Sequence, residues 1–170
     1  LSAFSNEICR IIVDNERSCQ AIFGEHGDPE FPLRVVETAC IVVSGVTGFN
    51  VGAEKAFKHA VKSGVGRMFV INQMDREHAS FDKVTQQLRD RHGSCVVPVL
   101  MPIGEGADFR GVINVLEKKA YEGAYKNSVE IPMPDNMKDK VDKAFEYLTE
   151  QAAAADDDLM MKYLDEGELN

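Results

Sequence analysis

Three short apolar runs, at residues 39–44, 68–71 and 95–101, are spaced so that a helical pattern fills each interval, and this alternation restricts the fold more than any other feature. Runs this short, without polar alternation, predict strands buried on both faces, the habit of parallel strands. Parallel neighbours need a crossover, so strand–helix–strand units follow. The first run, Ala39-Cys40-Ile41-Val42-Val43-Ser44, is expected to be fully buried and is followed by a glycine-rich turn between Gly45 and Gly52. Ala53, Phe57, Ala60 and Val61 then recur at helical spacing, with Gly64 and Gly66 as stop signals before the second run. Ser80 is placed to cap another helix, with Phe81, Val84 and Leu88 on its apolar face and Gly93 at its end.

From Pro102 the pattern changes. Short segments separated by Gly104, Gly106, Gly111 and Gly123 lead to Val129-Glu130-Ile131-Pro132-Met133-Pro134, an edge-like stretch interrupted by proline. The final third reads as helix, with Met137, Val141, Phe145, Leu148, Ala152 and Ala155 on one side. Asp156, Asp157 and Asp158 interrupt it, and one of them is expected to cap a further helix carrying Leu159, Met160 and Tyr163. Glu146, Glu150 and Asp157 make the opposite face acidic, for which a solvated face plus a cap is the ordinary explanation. The expected class is α/β. Residues 1–101 would form a partial parallel-sheet domain, irregular over 1–32, and residues 102–170 an α+β subdomain ending in acidic helices; 170 residues suffice for a real core.

The second run ends Met68-Phe69-Val70-Ile71-Asn72-Gln73-Met74-Asp75-Arg76. A buried parallel strand that releases an Asn and an Asp at its carboxyl end can read a guanine base, because ligands of open α/β sheets sit there. The Asp75 carboxylate would accept from guanine N1–H and the 2-amino group, and the Asn72 amide would meet N7 and brace the neighbouring loop. Adenine lacks that donor pair, so Asp75 would set base choice. An Asn-x-x-Asp spacing also arises by chance, and an Asx turn after a strand accounts for it equally well.

Charge and cysteine usage narrow the partners. A net charge of −9 opposes a direct grip on a nucleic-acid backbone, so sequence-specific nucleic-acid binding is not expected and a basic partner is favoured. Cys9, Cys19, Cys40 and Cys95 are scattered without metal-ligand spacing, two of them inside expected strands, which suits reduced thiols in a cytoplasmic protein. No apolar run reaches the roughly 18 residues of a membrane span, and the first ten residues lack a signal-peptide pattern. His26, His59, His78 and His92 stand in no catalytic pairing; the last three are expected on helix surfaces or a loop.

Together these strings resemble the GTP-binding domain of translation elongation factor G and its bacterial elongation-factor-G-like relatives. The resemblance runs from residue 33 through Ser44-Gly45-Val46-Thr47-Gly48 and Asn72-Gln73-Met74-Asp75, then through Val97-Pro98-Val99-Leu100-Met101-Pro102-Ile103-Gly104 and Asp108-Phe109-Arg110-Gly111-Val112-Ile113-Asn114 to Asp156-Asp157-Asp158-Leu159-Met160-Met161-Lys162-Tyr163-Leu164. It implies a P-loop-GTPase-type sheet with the insert subdomain of elongation factor G after residue 102, and guanine-reading positions at Asn72 and Asp75. It also implies GTP or GDP with magnesium in the full-length family, and the ribosome as partner. Where the family has Lys, this chain has Gln73, which weakens cover over the base and removes a charge.

Other motifs depart further. A P-loop reads G-x-x-x-x-G-K-[ST], and none of the 13 glycines precedes a Lys. The family's second switch, D-T-P-G-H-x-D-F, has its nearest counterpart in Gly24-Glu25-His26-Gly27-Asp28-Pro29-Glu30-Phe31, with neither the magnesium Asp nor the water-orienting His in register. Asp108-Phe109-Arg110-Gly111 fits D-x-x-G but follows the Asn-x-x-Asp motif instead of preceding it, so it reads as the start of a subdomain element. By the resemblance, the chain stops before the Ser-Ala motif whose backbone would complete the family's base pocket. Phosphate and magnesium contacts supply the electrostatic catalysis of phosphoryl transfer, so no turnover is expected from this chain alone.

Three readings remain. One is a fragment of an elongation-factor-G-like translational GTPase. Another is an interaction module that meets a basic ribosomal stalk protein through Glu146, Glu150 and Asp157. The third is a degenerate GTPase-like scaffold. Translocation, recycling and ribosome protection are not distinguished, nor is oligomeric state.

Overall fold

In the computed structural model, which describes residues 9–13, 36–123, 127–154 and 161, the chain forms two four-stranded sheets. Strand β1 is Cys9–Val13, β2 is Thr38–Ser44, β3 is Gly66–Asn72 and β4 is Val96–Pro98. They form a parallel sheet in the order β2-β3-β1-β4. β1 lies within the segment expected to be irregular, where Ile11-Ile12-Val13 places three β-branched residues in a row.

Helix α1, Val51–Lys62, carries the chain from β2 to β3. Asn50 caps it, its Oδ1 accepting from the Ala53 N–H at 2.9 Å, a contact worth about 1 kcal/mol. Its buried residues are Ala53 and Ala60, small enough to let the helix lie close to the sheet, and a left-handed Gly64 releases the chain after its end. Helix α2, Phe81–His92, joins β3 to β4 and buries Phe81, Val84, Thr85 and Leu88. Ser80 stands at its cap position, as the sequence predicts, but its side chain makes no cap bond. Glu105 supplies the acceptor instead, 2.7 Å from the Phe81 N–H and 24 residues further along the chain.

Two sequence expectations need correction. Residues 39–44 are not fully buried: Ala39, Ile41 and Val43 are, whereas Cys40 is exposed. Among the described residues β2 stands at the edge of its sheet, and its buried residues Ile41 and Val43 face the core. The run at residues 95–101 is not one strand. It is cut at Val99, so that β4 pairs with β1, while β5, Leu100–Ile103, starts a second sheet. The Val99 carbonyl accepts from the Val115 N–H at 2.9 Å, across the gap between the two.

The second sheet is an antiparallel meander of β5, β6 (Gly111–Asn114), β7 (Lys119–Glu122) and β8 (Val129–Ile131). Helix α3, Asp135–Ala153, follows, with Val141, Thr149 and Ala153 buried. One continuous core joins the layers: Ile41, Phe69, Ile71 and Leu88 of the first sheet and its helices meet Ile103, Ile113, Val115 and Val141 of the second. The loops beyond the carboxyl ends of β2 and β3 are thereby mounted on a rigid base.

Candidate functional site

In-register pairing of β2 with β3 ends on Ser44 opposite Asn72, so both strands release their loops at the same level. The loops are then tied together. The Gly45 N–H donates to the Asn72 carbonyl at 2.7 Å, and the Ser80 N–H donates to the Gly45 carbonyl at 3.0 Å. Only glycine allows this approach without displacement, since a Cβ on Gly45 would stand 2.8 Å from Met74 Sδ and 3.2 Å from the Asn72 carbonyl oxygen.

Past Asn72 the backbone turns sharply. Gln73 adopts a left-handed φ of 65°, a strained state for a residue with a side chain. Its N–H donates to Asn72 Oδ1 at 2.7 Å and its carbonyl accepts from the Arg76 N–H at 3.1 Å. The turn drives Met74 into the core at 0% exposure and leaves Asp75 exposed. No described residue bonds or pairs with the Asp75 carboxylate. Asn72, with its oxygen held by the Gln73 N–H, retains its Nδ2 hydrogens as donors. An acceptor-only carboxylate and an amide donor thus stand three residues apart, the chemistry needed for the donor and acceptor edges of guanine.

Ser44 was not among the residues singled out by the sequence. Its hydroxyl donates to Gln73 Oε1 at 2.8 Å and accepts from the N–H groups of Val46 and Thr47 at 3.2 and 3.3 Å. The available signal was that two neighbouring apolar runs both end on a short polar residue, Ser44 and Asn72.

The described clefts lie elsewhere. One, of about 410 Å³, is lined by Phe49, Glu54, Phe57, Lys58, Arg91 and His92; another, of about 500 Å³, lies near Asp108, Arg110 and Asn136. His92 does not decorate a surface, contrary to expectation. Its ring packs against Phe57, Phe49 and Phe69 at centroid separations of 3.9, 5.2 and 5.5 Å. Burial, reinforced by the Arg91 charge, lowers its pKa, and Glu54 acts in the opposite direction. His78 stays on an exposed loop, as expected.

On α3, Glu146 and Glu150 are exposed and one turn apart, and no described cation pairs with either. Asp157 lies outside the described residues, as do His26 and the switch-like stretch at 24–31. Among the described residues no group of three or more His, Cys, Asp and Glu side chains is placed to hold a metal ion, and no helix is long and apolar enough to cross a membrane.

Comparison with known proteins places this geometry in context. The model of the elongation factor Tu GTP binding domain matches residues 28–168. Elongation factor G of Mycoplasma genitalium is 34% identical over 139 residues, covering 80% of this chain and 20% of that protein. A crystal structure of a Thermus thermophilus protein matches with a TM-score of 0.75 and 27% identity, over 84% of this chain and 21% of that one. The chain therefore spans about a fifth of the length of these relatives. The matched residues include the parallel strands from β2 onward, the Asn72 to Asp75 turn and the second sheet, and the chain belongs to the family of the elongation factor Tu GTP binding domain, with similarity to elongation factor G.

Proposed function

We propose that this chain is the guanine-reading part of an elongation-factor-G-like GTP-binding domain that serves protein synthesis on the ribosome in the cytoplasm. Under this reading the first sheet corresponds to part of the GTPase-type domain, and the second sheet with α3 to the insert subdomain of elongation factor G. One observation carries it: Asn72 and Asp75 stand at the carboxyl end of β3, on a turn braced by the end of β2, with the Asp75 carboxylate exposed and without a described partner.

Asp75 accepts from guanine N1–H and the 2-amino group, Asn72 donates from Nδ2 to N7, and Gln73 gives weaker cover than a lysine stem would. With no P-loop sequence, the chain binds GDP weakly and does not hydrolyse GTP by itself. Calorimetric titration with GDP, with ADP as the control and magnesium present, tests this. Weak heat with GDP and none with ADP is the expected result. Equal binding of both nucleotides overturns the base-reading role, and submicromolar GDP binding overturns the absence of a phosphate site.

A second reading is favoured by Glu146 and Glu150, exposed and unpaired among the described residues. Together with Asp157 they offer an acidic face to a basic ribosomal stalk protein. Binding through exposed charges falls steeply with ionic strength, and salt-insensitive binding would sink this reading.

A further inference from the structure

We infer that Ser44 is a positioning residue of the base-reading turn: it orients the Gln73 amide so that Nε2 serves as a neutral donor to an uncharged acceptor on the bound nucleoside. This rests on the guanine-reading role proposed above.

A serine hydroxyl has one hydrogen and two lone pairs. Both lone pairs of Ser44 are taken, by the Val46 and Thr47 N–H groups at 3.2 and 3.3 Å. Toward Gln73 the hydroxyl therefore acts only as a donor, and the group 2.8 Å away has to be the amide oxygen, not its nitrogen. This settles which way the amide lies. The backbone of Gln73 is engaged at both ends, its N–H on Asn72 Oδ1 and its carbonyl on the Arg76 N–H. Of its polar groups only the Nε2 hydrogens remain without a described partner.

The strained φ of 65° is consistent with this role, because such a conformation persists only where its surroundings enforce it. Here they are the Ser44 bond, the buried Met74 beyond it and the Gly45 contact behind it. The turn thus has three neighbouring groups without a described partner: Asn72 Nδ2, Gln73 Nε2 and the Asp75 carboxylate. A lysine at position 73 would bring a charge suited to phosphate oxygens. An oriented amide is matched instead to a neutral acceptor, a base carbonyl or a ribose oxygen, and its contribution does not depend on phosphate.

The test uses the full 170-residue chain. The side-chain amide signals of Gln73 are followed by NMR in the wild type, Ser44→Ala, Ser44→Thr, Gln73→Ala and the double variant Ser44→Ala/Gln73→Ala. Guanosine and GDP are then titrated in parallel, and circular dichroism confirms the fold of each variant. The expected result is a restrained Gln73 amide in the wild type and in Ser44→Thr, and a mobile one in Ser44→Ala. Affinity should fall roughly threefold in Ser44→Ala, by the same factor for guanosine and GDP, with the double variant no worse than Gln73→Ala.

A mobile Gln73 amide in the wild type overturns the proposal with or without ligand. Losses seen with GDP but not with guanosine overturn the neutral-acceptor assignment. If the amide is restrained but neither ligand shifts any signal, the guanine reading itself fails, and Ser44 is reduced to a pin between two loops.

Discussion

The ends of β2 and β3 and the second sheet treat polar groups in opposite ways. In the second sheet, charges meet charges: Arg110 faces Glu122, Lys119 faces Glu130, and Lys118 reaches Asp142 of α3 at 2.7 Å. Beyond β2 and β3, short polar side chains bind backbone, and one carboxylate, Asp75, is left over. The first arrangement solvates an antiparallel surface. The second holds a turn in one shape and keeps its reactive edge free. Hydrogen bonds to Ser44 and Asn72 hold the loops there, and the Asp75 carboxylate is left without a described partner at the carboxyl ends of the parallel strands, where ligands of such sheets sit.

The largest effect expected to separate the two regions comes from glycine. A Cβ on Gly111 would collide with the Tyr121 carbonyl in β7, which cannot move without breaking the sheet, so Gly111→Ala should cost about 3 kcal/mol in denaturant unfolding. At Gly45 the nearest obstacle is Met74 Sδ, the adaptable part of a side chain, so Gly45→Ala should cost only about 1 kcal/mol. Equal costs would remove the distinction between a glycine backed by fixed sheet backbone and one backed by a flexible side chain.

Next comes Asp75→Asn, which should reduce any preference for GDP over ADP by roughly tenfold, since a charged acceptor is replaced by a neutral amide. Unfolding should be unchanged, because no described group pairs with this carboxylate. Glu130→Gln in the second sheet should leave the same preference intact, as read by parallel titrations.

A smaller difference should appear with pH. His92 has its pKa lowered in the fold, chiefly by burial, from an ordinary value of 6.5. The unfolded chain then binds the proton more readily, so this contribution to stability is complete above about pH 6.5 and is lost as pH falls through the lowered pKa. Thermal unfolding between pH 7.5 and 5 should show the decline, and His92→Gln should flatten it. The smallest effect is expected at Lys118→Ala: both partners of its ion pair are about half exposed, and less than about 0.5 kcal/mol should be lost. A larger loss would show that the second sheet depends on its surface charges.

Much of the first region was legible beforehand. Apolar runs mark β2 and β3, Gly64 and Gly93 mark the ends of α1 and α2, and Asn72 and Asp75 emerge where a parallel strand ends. These are local signals, each carried by a few neighbouring residues. The break at Val99 was not legible, because Val96-Val97-Pro98-Val99-Leu100-Met101 is apolar throughout, and either sheet can bury such a run. Glu105 as the cap of α2 was equally hidden, since its partner lies 24 residues earlier in the chain.

By itself, then, the sequence determined the strand–helix alternation from β2 to α2 and the likeness to elongation factor G, and it singled out Asn72 and Asp75 as candidates for reading guanine. Periodicity, caps and short motifs act over a few residues and can be read in a line. Tertiary structure alone decided that β1 lies between β3 and β4, that β2 is an edge among the described strands, that His92 joins an aromatic cluster, and that Ser44 holds Gln73 across 29 residues. Those outcomes depend on which distant groups compete best for one place in the core or for one hydrogen bond, and such competition is resolved only when the whole chain packs.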